Sequence, residues 1–375
     1  MVRKAHRSPT LPSCTSGGAQ MAELETCWAD ISLAAFSRNV RNAKVTLAHE
    51  AQLMIAVKSQ AYGHGEPHLA KEALRSGASS LAVLDIETGI ALRPHVGDAM
   101  LLAWLLSPSD DFAQAAEASL HLGISALWQL EKLRLEAPSA NTSVHLKIDT
   151  GLHRNGSLPG LWPDLVAHAK ELEGEGVCTV VAIWSHLADT SPKEDRLALA
   201  RFHHAVGIAR EGGLRPNLLH IAASSAASDV PESRLDMVRV GISAYGVSPF
   251  DDRSAADMGF EAVMRVTALV TSCDVAGNTA TLGMGYGDGL LPLPAHTGWV
   301  AHPAGPLNIA EVGVEEIIVG IPKGILVTPG DIVTLWGGTV GVSPTAEQWA
   351  SWGNTIGDEV VASLGSHVPR RFTSD

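Results

Sequence analysis

Between about residue 50 and residue 245 the chain alternates eight short apolar runs with amphipathic stretches, a pattern that few architectures accept. The runs cover 53–59, 80–85, 99–106, 121–126, 143–150, 177–186, 217–222 and 237–242. They are apolar almost without interruption, as strands are when both faces are buried. The stretches between them repeat apolar residues at helical spacing, as in Leu69, Ala70, Ala73 and Leu74, or Leu197, Ala198, Ala200, Phe202 and Val206. Eight strands separated by helices are the number a (β/α)8 TIM-like barrel needs. The spacing therefore predicts an α/β barrel over residues 23–248.

The pattern changes after Pro249. Val-, Thr- and Ile-rich segments at 267–270, 279–282, 316–319 and 332–336 lie between Gly, Pro and Asn, with little helical periodicity until about 345–364. Residues 249–375 are predicted to form a C-terminal β-rich domain. Residues 1–22 carry Arg3, Lys4, His6 and Arg7, then Ser, Thr, Pro and Gly, without an apolar core. A disordered tail is expected there, or an upstream start with Met21 as the natural initiator.

Forty acidic against 27 basic side chains leave a net charge of -13, which argues against a nucleic-acid partner. No apolar run approaches the roughly twenty residues that span a bilayer, so no membrane partner is expected. Cys14, Cys27, Cys178 and Cys273 show neither CxxC pairing nor metal-ligand spacing. They read as reduced thiols of a cytoplasmic protein without a structural metal.

The most specific chemistry follows the first apolar run. After Leu53-Met54-Ile55 comes Ala56-Val57-Lys58-Ser59-Gln60-Ala61-Tyr62-Gly63-His64-Gly65. A lysine is thereby set at the carboxyl end of a buried strand, where a barrel presents its reactive groups. Removal from water disfavours the charged amine, lowers its pKa and opens Schiff-base chemistry to it. The decapeptide closely resembles the cofactor-lysine segment of alanine racemases, pyridoxal-phosphate enzymes built on a TIM-like barrel. That resemblance implies that Lys58 carries pyridoxal 5'-phosphate as a Schiff base and that Tyr62 supports the cofactor.

Further motifs extend the resemblance from Trp28 to Phe372. His145-Leu146-Lys147-Ile148-Asp149-Thr150-Gly151-Leu152-His153-Arg154-Asn155-Gly156 is similar to the family segment after the fifth strand. It implies that Arg154 approaches the cofactor's phenolic oxygen and the substrate carboxylate, a task suited to a planar fork of donors. It also puts Lys147 at a position often carbamylated in the family. Ser185-His186 resembles the ending of strand six, with His186 against the cofactor ring. Ser224, in His220-Ile221-Ala222-Ala223-Ser224-Ser225-Ala226, and the amides of Gly241 and Ile242 occupy the barrel's habitual phosphate site. Arg239, in Met237-Val238-Arg239-Val240-Gly241-Ile242, resembles the arginine that faces the pyridine nitrogen and keeps it unprotonated. The resemblance implies an amino-acid racemase or epimerase acting at Cα, and a homodimer whose site is shared between barrel and β domain.

The chain also departs from the family. A two-base racemase needs a proton donor and acceptor on each face of Cα, and the family's second base is a tyrosine from the partner's β domain. Only Tyr62, Tyr245 and Tyr286 occur here, and all three lie in other motifs. The segment Ala276-Gly277-Asn278-Thr279-Ala280-Thr281-Leu282-Gly283-Met284 is shorter than the family's, and the loop bearing the tyrosine is missing. The family's asparagine beside the phosphate motif is Ala223. Its methionine-aspartate pair is replaced around Val314-Glu315-Glu316, and its late phosphate tyrosine is expected to fall at Ser366. Asp288, Glu315 and Glu316 are candidate replacement bases, each equally readable as a solvated or salt-bridged acid. Two other readings stay open: a same-fold enzyme with one-face chemistry (aldol-type cleavage, elimination or decarboxylation), and a non-catalytic pyridoxal-phosphate-binding homologue.

Overall fold

A computed structural model describes residues 25–338 and 341–374. The tail expected at 1–22 lies outside the described residues. Cys27–Ser32 forms the first strand, β1. Ser32 then caps the helix Leu33–Ala43, its hydroxyl accepting from the Ala35 amide at 3.1 Å.

Eight parallel strands follow: Gln52–Ala56 (β2), Ser80–Val83 (β3), Met100–Ala103 (β4), His121–Ile124 (β5), Thr142–Lys147 (β6), Cys178–Trp184 (β7), Leu218–His220 (β8) and Met237–Val240 (β9). Each overlaps one of the predicted runs. The sheet order is β8-β7-β6-β5-β4-β3-β2-β9. The amides of Asp236 and Arg239 donate to the carbonyls of Leu219 and Ala222, both at 3.1 Å, and close the barrel between its last two strands. Residues of β3 and β9 are buried throughout, as both-face burial requires.

The second sheet contains Met264–Asp274 (β10), Thr279–Leu282 (β11), Trp299–His302 (β12), Gly305–Val312 (β13), Ile317–Gly320 (β14), Ile332–Trp336 (β15) and Arg370–Thr373 (β16). Its order is β11-β14-β13-β12-β15-β10-β1-β16, and β10 also pairs with β11. Six strands thus close into a small ring, with β1 and β16 as an extension. The expected boundary at residue 23 is therefore corrected for the opening strand. β1 runs antiparallel to β10, Cys27 opposite Ala268 and Ile31 opposite Met264, and belongs to the β domain rather than to the barrel. Local alternation marks a strand but carries no information about its distant partner.

The two domains meet directly behind the Lys58 segment. Gly63 adopts φ +79°, and a Cβ there would lie 2.2 Å from the Val361 carbonyl oxygen in the helix Gly357–Ala362. Arg370 spans the same joint: its Nε donates to the Gly63 carbonyl at 2.9 Å, and its guanidinium also donates to the Leu364 carbonyl at 2.8 Å. Glycine alone tolerates both the left-handed backbone and the absent space. Gly63→Ala is expected to lower unfolding stability by about 2 kcal/mol or more. Denaturant titration of both proteins checks this, and a loss within error of zero would show that the joint can relax.

Candidate active site

The carboxyl ends of the barrel strands open into a cavity of about 860 Å³. Lys58, Tyr62, Arg154, His186, Ser224, Arg239, Gly241 and Ile242, all selected from the sequence, line it, and so does Lys147. The wall opposite the barrel comes from 248–251 and from 347–358.

Lys58 follows β2 by two residues and begins an unusual turn. Ser59, Gln60, Ala61 and Tyr62 all have φ between 52° and 56°. For a residue with a Cβ this conformation costs roughly 1–2 kcal/mol, so the turn persists only where its surroundings determine it. The imidazole of His64, fully buried, donates its Nδ1–H toward the carbonyls of Ala61 (3.0 Å) and Tyr62 (2.8 Å). The Gly65 amide returns to the Gln60 carbonyl at 2.8 Å, and the Tyr245 hydroxyl donates to the Ala56 carbonyl at 2.8 Å. The result fixes where the amine of Lys58 sits, 5.1 Å from the centroid of the Tyr62 ring. Burial, with Arg154 adding to it, holds the Lys58 amine below the ordinary lysine range, while Asp358 opposes the shift.

Arg154 stands on a loop shaped by Asp149. One Asp149 oxygen accepts from the amides of Gly151 (2.9 Å) and His153 (3.1 Å), and the other meets His153 Nδ1 at 2.9 Å. Arg154 itself has no hydrogen bond or ion pair with another described residue, so its fork is free for an oxyanion. Lys147 lies 4.4 Å from the centroid of Trp184. Burial, then Arg239 and Arg154, push its amine down to about 7.

Arg239 is buried at the centre of the site. It donates to the carbonyls of Ser185 (2.8 Å) and Ile221 (2.9 Å) and to His186 Nδ1 (3.1 Å) and His220 Nδ1 (2.9 Å). Arginine has no acceptor, so the tautomers follow in sequence. His220 Nε2–H donates to His145 Nδ1 at 2.9 Å, and His145 Nε2–H donates to His121 Nδ1 at 3.0 Å. Burial keeps His220 and His145 well below the ordinary histidine range and His121 near 4, so the row is neutral. His186 is likewise held neutral, by burial and then by Arg239, and offers a flat uncharged ring to the cavity. Sequence reading found His186 and Arg239 but not this row, because β5, β6 and β8 bring the three imidazoles together only in the barrel interior.

A phosphate-shaped set of donors lies beside it. The Tyr62 hydroxyl, in a side chain 6% exposed, makes no hydrogen bond to another described residue. A Cβ on Gly241 would lie 2.3 Å from that hydroxyl, so the backbone there approaches to the limit glycine allows. The Ser224 hydroxyl faces the same cavity, and the amides of Gly241 and Ile242 donate to no backbone carbonyl. Two hydroxyls and two amides left without partners beside buried cations suit an anionic group.

The departures are also visible. β10 and β11 are joined by a turn of residues 275–278, with Asp274 paired to Thr279, and no tyrosine lies in either strand or in the turn. Asp288 is engaged by His367 Nε2 (2.9 Å) and by the Gly285 amide (2.8 Å). Glu315 and Glu316 are exposed, and none of these three acids lines the cavity of its own chain. Ser366, where the late phosphate tyrosine was expected to fall, is exposed and outside the lining too. The β domain instead contributes Thr355, Ile356, Gly357 and Asp358, which no motif had singled out. Asp189 was missed as well; its carboxylate, raised by burial, accepts a hydrogen bond from Ser225.

Comparison with known proteins agrees with this geometry over nearly the whole chain. The family described as alanine racemase, N-terminal domain, matches residues 31–249, and alanine racemase, C-terminal domain, matches 270–372. An alanine racemase of Streptomyces coelicolor is 35% identical over 383 residues, covering 92% of this chain and 96% of that protein. One from Thermobifida fusca is 33% identical over 346 residues, covering 86% and 92%. Among solved structures, alanine racemase from Streptomyces coelicolor superposes with TM-score 0.90 at 33% identity, over 94% of this chain and 99% of that one. Alanine racemase from the D-cycloserine producer Streptomyces lavendulae gives 0.89 at 30%, over 94% and 98%.

Burial, reinforced by neighbouring cations, gives a measurable signature at Lys147. Its pKa is lowered in the fold from an unfolded value of about 10.4, so the unfolded chain holds the extra proton between about 7 and that value. Stability must then rise with pH across this window. Lys147→Met removes the proton uptake. In bicarbonate-free buffer the variant is expected to gain stability relative to wild type at pH 7 and to lose that advantage near pH 10. Parallel pH dependences for the two proteins would contradict the assignment.

Proposed function

Because the chain belongs to the alanine racemase family, we propose that it is a pyridoxal-phosphate-dependent isomerase that inverts a small α-amino acid at Cα, with alanine the first substrate to test. The supporting observation is the meeting of a desolvated amine, Lys58, with an unpartnered anion cradle in one cavity. Bound there, pyridoxal phosphate supplies an electron sink that makes the Cα proton of an attached amino acid acidic.

The chain's own residues take the remaining tasks. Tyr62, Ser224 and the amides of Gly241 and Ile242 hold the phosphate. Arg239 would meet the ring nitrogen as a cation and keep it unprotonated, and neutral His186 would offer its flat face to the ring. Arg154 fixes the substrate carboxylate, which orients the Cα–H bond. Lys58 Nζ takes and returns the Cα proton on its face. Borohydride reduction followed by peptide mass mapping is expected to find the cofactor mass on Lys58. Lys58→Ala should cost alanine racemisation at least about 10²–10⁴-fold. An unmodified Lys58 in the reduced protein would refute the assignment.

We also place the protein in the cytoplasm, in line with the free thiols of Cys27, Cys178 and Cys273 among the described residues. No described helix is long and apolar enough to cross a membrane. A homodimer is the expected working form. Tyr286 and Val314 are 45% and 52% exposed, and the Tyr286 and Gly287 amides donate to the carbonyls of Gly313 (2.9 Å) and Val314 (2.7 Å). They form one stitched apolar patch on the β domain, suited to covering a second copy's site. Val314→Asp is expected to shift the protein toward monomer in light scattering with its circular dichroism unchanged. A dimer of undiminished strength would remove the patch from the interface.

One observation favours a second reading: the short turn at 275–278 offers no base for the face opposite Lys58. An enzyme of this kind would return the proton to the face it left, or break another bond at Cα. Incubation with L- and D-alanine in deuterated water separates the readings. Exchange with inversion supports the racemase; exchange with retained configuration supports one-face chemistry.

A further inference from the structure

Among the acids that the C-terminal domain brings to the barrel's reactive cavity, Asp358 stands apart. Asp358 lies in the first turn of the helix Gly357–Ala362 and lines the same cavity as Lys58. It is partly buried, and no other described residue's side chain or backbone donates to it. Its position relative to Lys58 is set by close packing rather than by a flexible arm. The Val361 carbonyl of this helix leaves no space for a methyl on Gly63, five residues after Lys58. Arg370 bonds the Gly63 carbonyl and, at the helix's far end, the Leu364 carbonyl. On its other side Gly357 abuts Val247, whose Cγ1 would lie 2.4 Å from an added Cβ. Helix and lysine turn are therefore held as one body.

We propose that Asp358 is the counter-charge of Lys58, a positioning residue that stabilises the lysine's ammonium form. This rests on the reading of Lys58 as the proton carrier. When Nζ removes the Cα proton, the Cα–H bond breaks, its electron pair stays with the substrate, and a neutral amine becomes an ammonium. That cation arises in a cavity already holding Lys147, Arg154 and Arg239. Other acids on the cavity wall are engaged or distant. Asp189 accepts from Ser225, Glu347 accepts from the Ser248 amide at 2.8 Å, and Asp251 is exposed. Neutral His186 and the Tyr62 phenol, pushed by burial well above the ordinary tyrosine range, add no anion. Asp358 is the carboxylate that favours charge on Lys58, against burial and Arg154. Burial in turn raises Asp358 itself, and Lys58 is the group that draws it back.

The test reads the proton affinity of Lys58 directly. Full-length protein stripped of pyridoxal phosphate is labelled with trace acetic anhydride across pH, and acetylation of Lys58 is followed by mass spectrometry. Wild type, Asp358→Asn, Asp358→Ser and Asp358→Glu are compared. The Lys58 midpoint is expected to fall by about one pH unit in both neutral variants, roughly tenfold more free amine below it, and to stay near wild type in D358E. In the holoenzyme, the acid limb of the Cα deuterium-exchange profile should move the same way, with a lower plateau as the base weakens. An unchanged labelling midpoint in D358N and D358S, or an equal fall in D358E, overturns the proposal. A shifted midpoint in a protein that exchanges no amino acid would leave this pair intact and sink the racemase reading instead.

Discussion

Lysine in water is an ammonium ion, and the site depends on burial weakening the hold of Lys58 on its proton, with Asp358 opposing that shift and Arg154 adding to it. Two forces act together: removal from water at the mouth of a dry barrel, and repulsion from neighbouring cations. Arg154, Lys147 and Arg239 share its cavity although the whole chain carries a net charge of -13. The local potential is thus opposite in sign to the global one, which suits a site built for phosphate and carboxylate groups. Neutral His220 accepts a hydrogen from Arg239, and His145 and His121 carry the row onward from it, each accepting from the imidazole before, without adding charge.

Such crowding is tolerable only if the groups cannot move apart. The left-handed run from Ser59 to Tyr62 is the mechanical counterpart of the electrostatics. It carries backbone strain of several times 1–2 kcal/mol, held by His64, by Tyr245 and by the β domain pressing on Gly63. The second domain is thereby more than a neighbour. It locks the turn that positions the amine and supplies an acid to the same cavity.

The turn between β10 and β11 is short and carries no tyrosine, and Ala223 stands in the barrel wall beside Ser224, while Lys58, Tyr62, Arg154 and Arg239 all line the cavity. If the protein inverts alanine, some group must serve the second face. If it does not, the cradle serves reactions confined to the Lys58 face. The same scaffold admits both because cofactor binding and second-face proton transfer use separate sets of residues.

Contiguous segments carried most of what could be read in advance. The eight barrel strands announced themselves because burial on both faces leaves unbroken apolar runs. Lys58, Tyr62, Arg154, His186, Ser224, Arg239, Gly241 and Ile242 sit at strand ends within short motifs, and a barrel delivers all strand ends to one rim. What stayed hidden depends on residues far apart in the chain. β1 pairs with β10 across more than two hundred positions, His121 meets His145 and His220 only when three strands curve inward, and Asp358 comes to the cavity of Lys58 only through the packing of the two domains. Side-chain type and local spacing are properties of the chain; desolvation, tautomer and the balance of charge around an amine are properties of neighbours, and only folding chooses those.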